Sequence, residues 1–182
     1  MKAAYFICGL FVLLNLASSD ERNFRFYFAD FAVTYRVTDI FEKVPECHLD
    51  QLNNRSYVNI EMRLNRNVAD VGVRAVMDFW KPNTQKKMRL YDIRVDACAL
   101  LKTFHKNKLL NTYVKSLKKH TNVNLMCPFK ANFTYKLVDW FLDEQDFPPY
   151  VPLGKFRTNT EYFTQERLVT RIVAHGEILS KK

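Results

Sequence analysis

Glycine is scarce in this chain, with four residues among 182. That scarcity excludes a phosphate-cradling loop and a dinucleotide fingerprint, both of which need clustered glycines for close backbone approach to a phosphate. Histidine is equally sparse. His48, His105, His120 and His175 are scattered, with no HExxH and no pair at zinc-ligand spacing, so no metal site is expected. GxSxG is missing too, which removes the serine nucleophile elbow. No set of catalytic roles can be filled and no cofactor is implied, so the chain reads as a binding protein rather than an enzyme. Beyond the N-terminus there is no apolar run long enough to span a bilayer.

What is present begins at the N-terminus. Lys2, the apolar run "AYFICGLFVLLNLA", and Ala17 and Ser19 before Asp20 predict a signal peptide over residues 1–19 and a secreted product. Residues 20–182 are enough for a single domain with its own core. The leader carries Lys2 and Cys8 but no acidic residue. The mature charge is therefore one below the chain's +9, and three cysteines remain, Cys47, Cys98 and Cys127. In an oxidising compartment two of the three are expected to pair, leaving the third free or joined to another chain. Secretion removes nucleic acid as the usual partner of a basic chain. An anionic surface or a membrane receptor is the partner class that the charge leaves open. Two sequons, Asn54-Arg55-Ser56 and Asn132-Phe133-Thr134, suit the same compartment and require both asparagines to face solvent.

Hydrophobic alternation predicts mostly strands. Phe24, Phe26 and Phe28 alternate, and Phe31, Val33, Tyr35 and Val37 continue in the opposite phase, so a bulge is expected near Ala29-Asp30. Further strands are predicted through Val58–Leu64, Val71–Trp80, Tyr91–Ala97, Phe129–Leu137, Lys155–Phe163 and Arg167–Ile178. The Phe129–Leu137 pattern puts Asn132 on a solvent face. "DEQDFPPYVPLGK" is a loop by its prolines. One segment departs from the pattern. In "KNKLLNTYVKSLKKHT", Leu110, Tyr113, Val114 and Leu117 fall at helical spacing among lysines. "YDIRVDACALLK" starts with period two and ends helix-like, with Cys98 at the change. A cysteine there suits a nucleophile, a metal ligand, a bridge or a core residue equally well. Many strands and one helical insertion around residues 98–120 predict a mainly β, immunoglobulin-like two-sheet antiparallel sandwich.

Of the chain's fifteen phenylalanines, nine tyrosines and two tryptophans, all but Tyr5, Phe6 and Phe11 lie beyond the leader, a heavy aromatic load for such a domain. They either fill a solid core or line a pocket between sheets, and periodicity does not separate the two. Met62, Val73, Ala75, Met77, Phe79, Phe129, Phe133 and Tyr135 are the inward candidates for such a pocket. Lys86, Lys87 and Lys118 are candidates to meet a headgroup at its mouth.

"VDAC" at 95–98, "NVNLMCPF" at 122–129 and "PPYVPLGKF" at 148–156 resemble, in order and spacing, the secreted insect family of unknown function that includes the CheB chemosensory proteins. The likeness covers about residues 75–178. That family is similar to the ML lipid-recognition superfamily, sandwiches that hold a lipid between two sheets. The resemblance implies a Cys98–Cys127 bridge, which would stabilise by roughly 3 to 4 kcal/mol in the chain-entropy model. It also implies a lipid or other small hydrophobic ligand, with a chemosensory role such as pheromone or cuticular hydrocarbon binding. The alternative is an extracellular interaction module with a solid core, acting on a receptor or matrix partner. Relatives carry a second N-terminal cysteine that is missing here, so Cys47 is left as a free thiol or as the link of a dimer.

Overall fold

The computed structural model describes residues 22–102 and 107–181, the Leu109 side chain excepted. The expected leader over 1–19 and His105 lie outside the described residues. Eight strands form two antiparallel sheets. They are β1 (Phe24–Arg36), β2 (Phe41–Leu52), β3 (Arg55–Leu64), β4 (Gly72–Trp80), β5 (Lys87–Asp96), β6 (Thr134–Trp140), β7 (Gly154–Thr164) and β8 (Arg167–Ser180). One sheet has five strands in the order β1-β8-β7-β4-β5, and the other has three in the order β2-β3-β6. Between β5 and β6 stand helices α1 (Ala97–Lys102) and α2 (Lys108–His120). A single 3-10 turn, Glu144–Asp146, opens the proline-rich loop before β7. This is the expected immunoglobulin-like sandwich with its helical insertion.

The phase change in β1 has a structural cause. Its register against β8 shifts between Phe28 and Asp30, so Phe24, Phe26 and Phe28 face the interior, and Phe31 turns back to the same side after the bulge. The strand β2 escaped the sequence pattern for a related reason. Two register shifts between Phe41 and Glu46, with Pro45 alongside them, scramble the alternation over its first half. Only the second half keeps period two, pairing Cys47 with Ile60 and Leu49 with Val58.

One expected strand is shorter than its pattern. Alternation through Phe129–Leu137 holds only from Thr134 onward. Before it the chain turns, with Asn132 at φ 57°. Ala131 N–H donates to Asn67 Oδ1 at 2.8 Å, and Asn132 N–H donates to the Leu64 carbonyl at 2.8 Å. Asn132 is exposed because it occupies this turn, and not because it sits on a polar strand face. Asn54 is likewise exposed, at φ 59° in the β2–β3 turn.

The strand-to-helix change at Cys98 is a capped junction. Asp96 Oδ1 accepts from the backbone N–H groups of Cys98 (2.8 Å) and Ala99 (3.0 Å), satisfying two of the donors that open a helix. Cys98 is buried there and bonded to Cys127, with Cα atoms 5.6 Å apart. The bridge spans two layers. Its α1 end belongs with β4 and β5 of the larger sheet, whereas the Cys127 end lies in the loop that leads into β6 of the smaller one.

The bridge closes a loop of 29 residues, a length that contributes on the order of 3 to 4 kcal/mol by restricting the unfolded chain. Cys98→Ser is expected to lose about that much in urea denaturation. Wild-type protein denatured with a reductant present should shift by the same amount, while the variant should not respond to the reductant.

Candidate ligand space between the sheets

The two sheets differ in width by two strands. They approach each other chiefly along β1, which neighbours β2 and β3. Helix α2 lies on β6, and α1 lies on β4 and β5. The inward faces of β4 and β5 thus look toward a region that the smaller sheet does not fully cover.

Burial along the sandwich follows from that mismatch. At one end Phe24, Phe26, Phe28, Val58, Phe79, Trp140, Phe156, Ala174 and Ile178 form a closed cluster. Gly176 belongs to it, because the Phe156 ring packs where a Cβ would stand. Trp140 Nε1–H donates to Ser116 Oγ at 3.0 Å, which fastens α2 to this end. At the other end Val37, Ile40, Leu64, Val68, Tyr135 and Val169 form a second closed cluster. Between the two, inward residues are only partly covered. On β3, Val58 and Leu64 are buried while Ile60 and Met62 are not. On β4, Phe79 is 0% exposed, yet Met77, Ala75 and Val73 on the same face are half-buried. Their neighbours across the sheet, Thr158, Thr160 and Tyr162 on β7 and Tyr91, Ile93 and Val95 on β5, are partly uncovered as well, Tyr91 most of all.

Three tyrosines belong to this partly covered region. Tyr113 on α2 keeps 38% of its surface open and Tyr91 keeps 36%. Burial nevertheless pushes the Tyr113 phenol well above its ordinary pKa, with smaller contributions from the neighbouring Tyr162 and Tyr91. Burial likewise lifts Tyr91. Tyr162 is pushed up to about 12 by burial and then by the nearby Cys47 thiol. Cys47 on β2 is partly buried, and burial raises its thiol to about 11.

Of the expected site residues, Val73, Ala75 and Met77 form the half-covered middle of β4, Met77 also packing against the first cluster, while Met62 on β3 packs against the second. Phe79 and Tyr135 do not line the middle, because they fill the two closed ends. Phe129 and Phe133 both pack edge-on against Tyr135, with ring centroids 5.6 Å and 4.9 Å away, which places them at the second end and not in the middle. The lysines do not converge on a mouth. Lys87 pairs with Asp78 on the outer face of the large sheet, and Lys118 Nζ donates to the Leu101 carbonyl at 2.8 Å. Lys86 is exposed in the β4–β5 turn. Cys47 is a free, partly buried cysteine on β2, the edge strand of the smaller sheet. The sequence reading missed Tyr91, Tyr113 and Tyr162 as partly covered residues. Period two places Tyr91 and Tyr162 on the inward face, but Tyr113 lies on α2, where nothing local shows its neighbours.

Two shallow depressions of about 200 and 120 Å³ lie on the outer surface, with charged and apolar side chains mixed in their linings. In the larger one Glu61 pairs with Lys43 at 3.1 Å and Lys136 at 3.2 Å, which satisfies its charges internally. No group of three or more potential metal ligands forms among the described residues. No described helix is long and apolar enough to cross a membrane.

A family model described as "Protein of unknown function (DUF1091)" matches residues 75–158, from within β4 to within β7. No curated protein matches the chain. Among solved structures, a Niemann-Pick type C2 protein from the Japanese carpenter ant aligns at 14% identity and a TM-score of 0.39, over 81% of this chain and 98% of its own.

The buried phenol and thiol predict alkaline sensitivity. In the unfolded chain a tyrosine loses its proton near 10 and a cysteine near 9, whereas the folded chain holds these protons to about 12 at Tyr162 and about 11 at Cys47. The unfolded state therefore binds fewer protons across that window, and stability falls as pH rises through it. Denaturation curves at pH 8 and at pH 11 should show the loss. Tyr162→Phe should remove its own share of the loss, about 1.4 kcal/mol by pH 11.

Proposed function

We propose that this chain is a secreted, non-catalytic binding protein that takes a lipid or other small hydrophobic ligand into the space between its sheets. The observation that carries the reading is the half-covered inward face of Val73, Ala75 and Met77 between two closed apolar ends. Burying an alkyl chain there would gain roughly 0.8 kcal/mol per methylene. Methionines suit such a site, because an unbranched thioether repacks around chains of different length. Secretion is supported by the expected leader and by an intrachain disulfide of the kind that oxidising compartments sustain. Glycans at Asn54 and Asn132 would project from exposed turns on opposite sides of β3, clear of the space between the sheets. A chemosensory role, with a pheromone or cuticular hydrocarbon as cargo, is the use that the motif resemblance suggests.

Ala75 is the residue on which to test this. It sits between Ile93 and Thr160 on the inward face, with only a methyl group to fill its share of the middle. Ala75→Phe is expected to abolish uptake of a fluorescent fatty-chain probe while leaving the melting temperature nearly unchanged, because the ring enters open space. In a solid core the same change would overpack, at about 1 to 3 kcal/mol. A destabilised variant of a parent that never took up the probe would replace this reading with an extracellular interaction module.

A further inference from the structure

Each sheet ends in two edge strands, and three of these four edges have a neighbour. β1 and β2 lie against each other. Along β6 the chain after α2 forms a bridge from Thr121 to Leu137, and Asn122 N–H donates to the Lys136 carbonyl at 3.1 Å. β5 is different. It pairs with β4 on one side, and on the other its backbone groups meet no hydrogen-bond partner among the described residues. An edge of unpaired N–H and C=O groups is a template for a further strand. The smaller sheet is displaced toward β1, away from this edge. Irregularities at both ends set the usable length. Leu90 is the extra residue of a bulge, because Met77 faces Tyr91 while the next residue, Asp78, faces Arg89. After Asp96 the chain enters α1. The regular edge therefore covers residues 91–96, with Tyr91, Ile93 and Val95 on the inward face and Asp92, Arg94 and Asp96 on the outward one.

We propose that this edge binds a second copy of the chain, β5 against β5 in an antiparallel register centred on Ile93, which joins two five-stranded sheets into one. Such pairing is two-fold symmetric about an axis through the sheet, so both inward faces stay on the same side. Charge selects the register. Centred on Ile93, Asp92 of each copy stands opposite Arg94 of the other, and Tyr91 stands opposite Val95. Centring on Asp92 sets that carboxylate against itself, and centring on Arg94 sets two guanidinium groups together. Like charges directly opposite are destabilising. A slip of one residue would turn one copy's inward face outward. Both charged groups are available for the pairing. Arg94 is exposed and has no carboxylate partner among the described residues; its guanidinium lies over the Phe163 ring at 4.9 Å from the centroid. Asp92 accepts from Arg74 Nε at 2.9 Å and Nη2 at 2.8 Å, and a carboxylate has room for a further donor. The same register would cover Tyr91, Ile93 and Val95, which are exposed or half-buried in the single chain. The proposal does not depend on the reading of the inter-sheet space.

Sedimentation velocity over a concentration series tests this. The wild-type protein should pass from monomer to dimer and go no further, because a two-fold pairing uses up both edges. Arg94→Asp should weaken the dimer about tenfold or more, since two pairs per dimer turn from attraction to repulsion. The direction of that change is informative. Removing positive charge from a chain of net charge +9 would by itself favour association. Cross-linking reads the register. In Ile93→Cys the two new thiols would face each other across the axis, with Cα atoms about 4.5 to 5.5 Å apart, inside the range that a disulfide spans. Mild oxidation should link that variant into a dimer, and peptide mapping should place the bond at position 93 of both copies. Tyr91→Cys should not link to itself, because its two copies would stand about 13 Å apart along the strands. A wild type that stays monomeric throughout would overturn the proposal. So would species larger than a dimer, a dimer that Arg94→Asp leaves unchanged, or equal cross-linking at positions 91 and 93.

Discussion

Five strands facing three is the constraint from which the rest of this structure follows. A sheet with one apolar face must bury it, and an equal partner would do so completely. Here the partner is narrower and sits toward β1, so the aromatic clusters seal only the two ends. The middle of β4 and β5 is left to the helices. Helix α2 packs Leu117 against the first cluster and leaves Leu110 and Val114 partly covered.

The disulfide belongs to the same arrangement. At the β1 edge the sheets are held by direct strand contact and by Ser56, whose hydroxyl accepts from Phe28 N–H at 2.9 Å and donates to the Phe28 carbonyl at 3.2 Å. The β5–β6 edge has no such contact. There the Cys98–Cys127 bond joins α1, on the large sheet, to the approach of β6 in the small one. Val68 and Phe129 add a reciprocal pair of backbone hydrogen bonds at 2.8 Å beside it. An open edge fixed by a covalent bond can stay wide without coming apart, which a binding space needs and a solid core does not.

Most of the fold was legible in the sequence because period two is a direct imprint of one-sided burial. It placed the strands, located the bulge after Phe28 and put Val73, Ala75 and Met77 on one face. It failed where backbone irregularity overrides side-chain order. β2 was missed behind Pro45 and two register shifts, and the turn at Asn132 broke a run that looked continuous. The site was less legible, for a different reason. Whether Phe79 lines a space or fills an end depends on what lies opposite, and that is decided by Phe156 and its partners far away in the chain.

Co-crystallisation with a long-chain alcohol carrying a terminal bromine tests the central claim most directly. An anomalous bromine peak is expected between the sheets, beside Val73, Ala75 and Met77 of β4. Side chains meeting across the middle without unfilled density, and bromine found only on the outer surface, would contradict it.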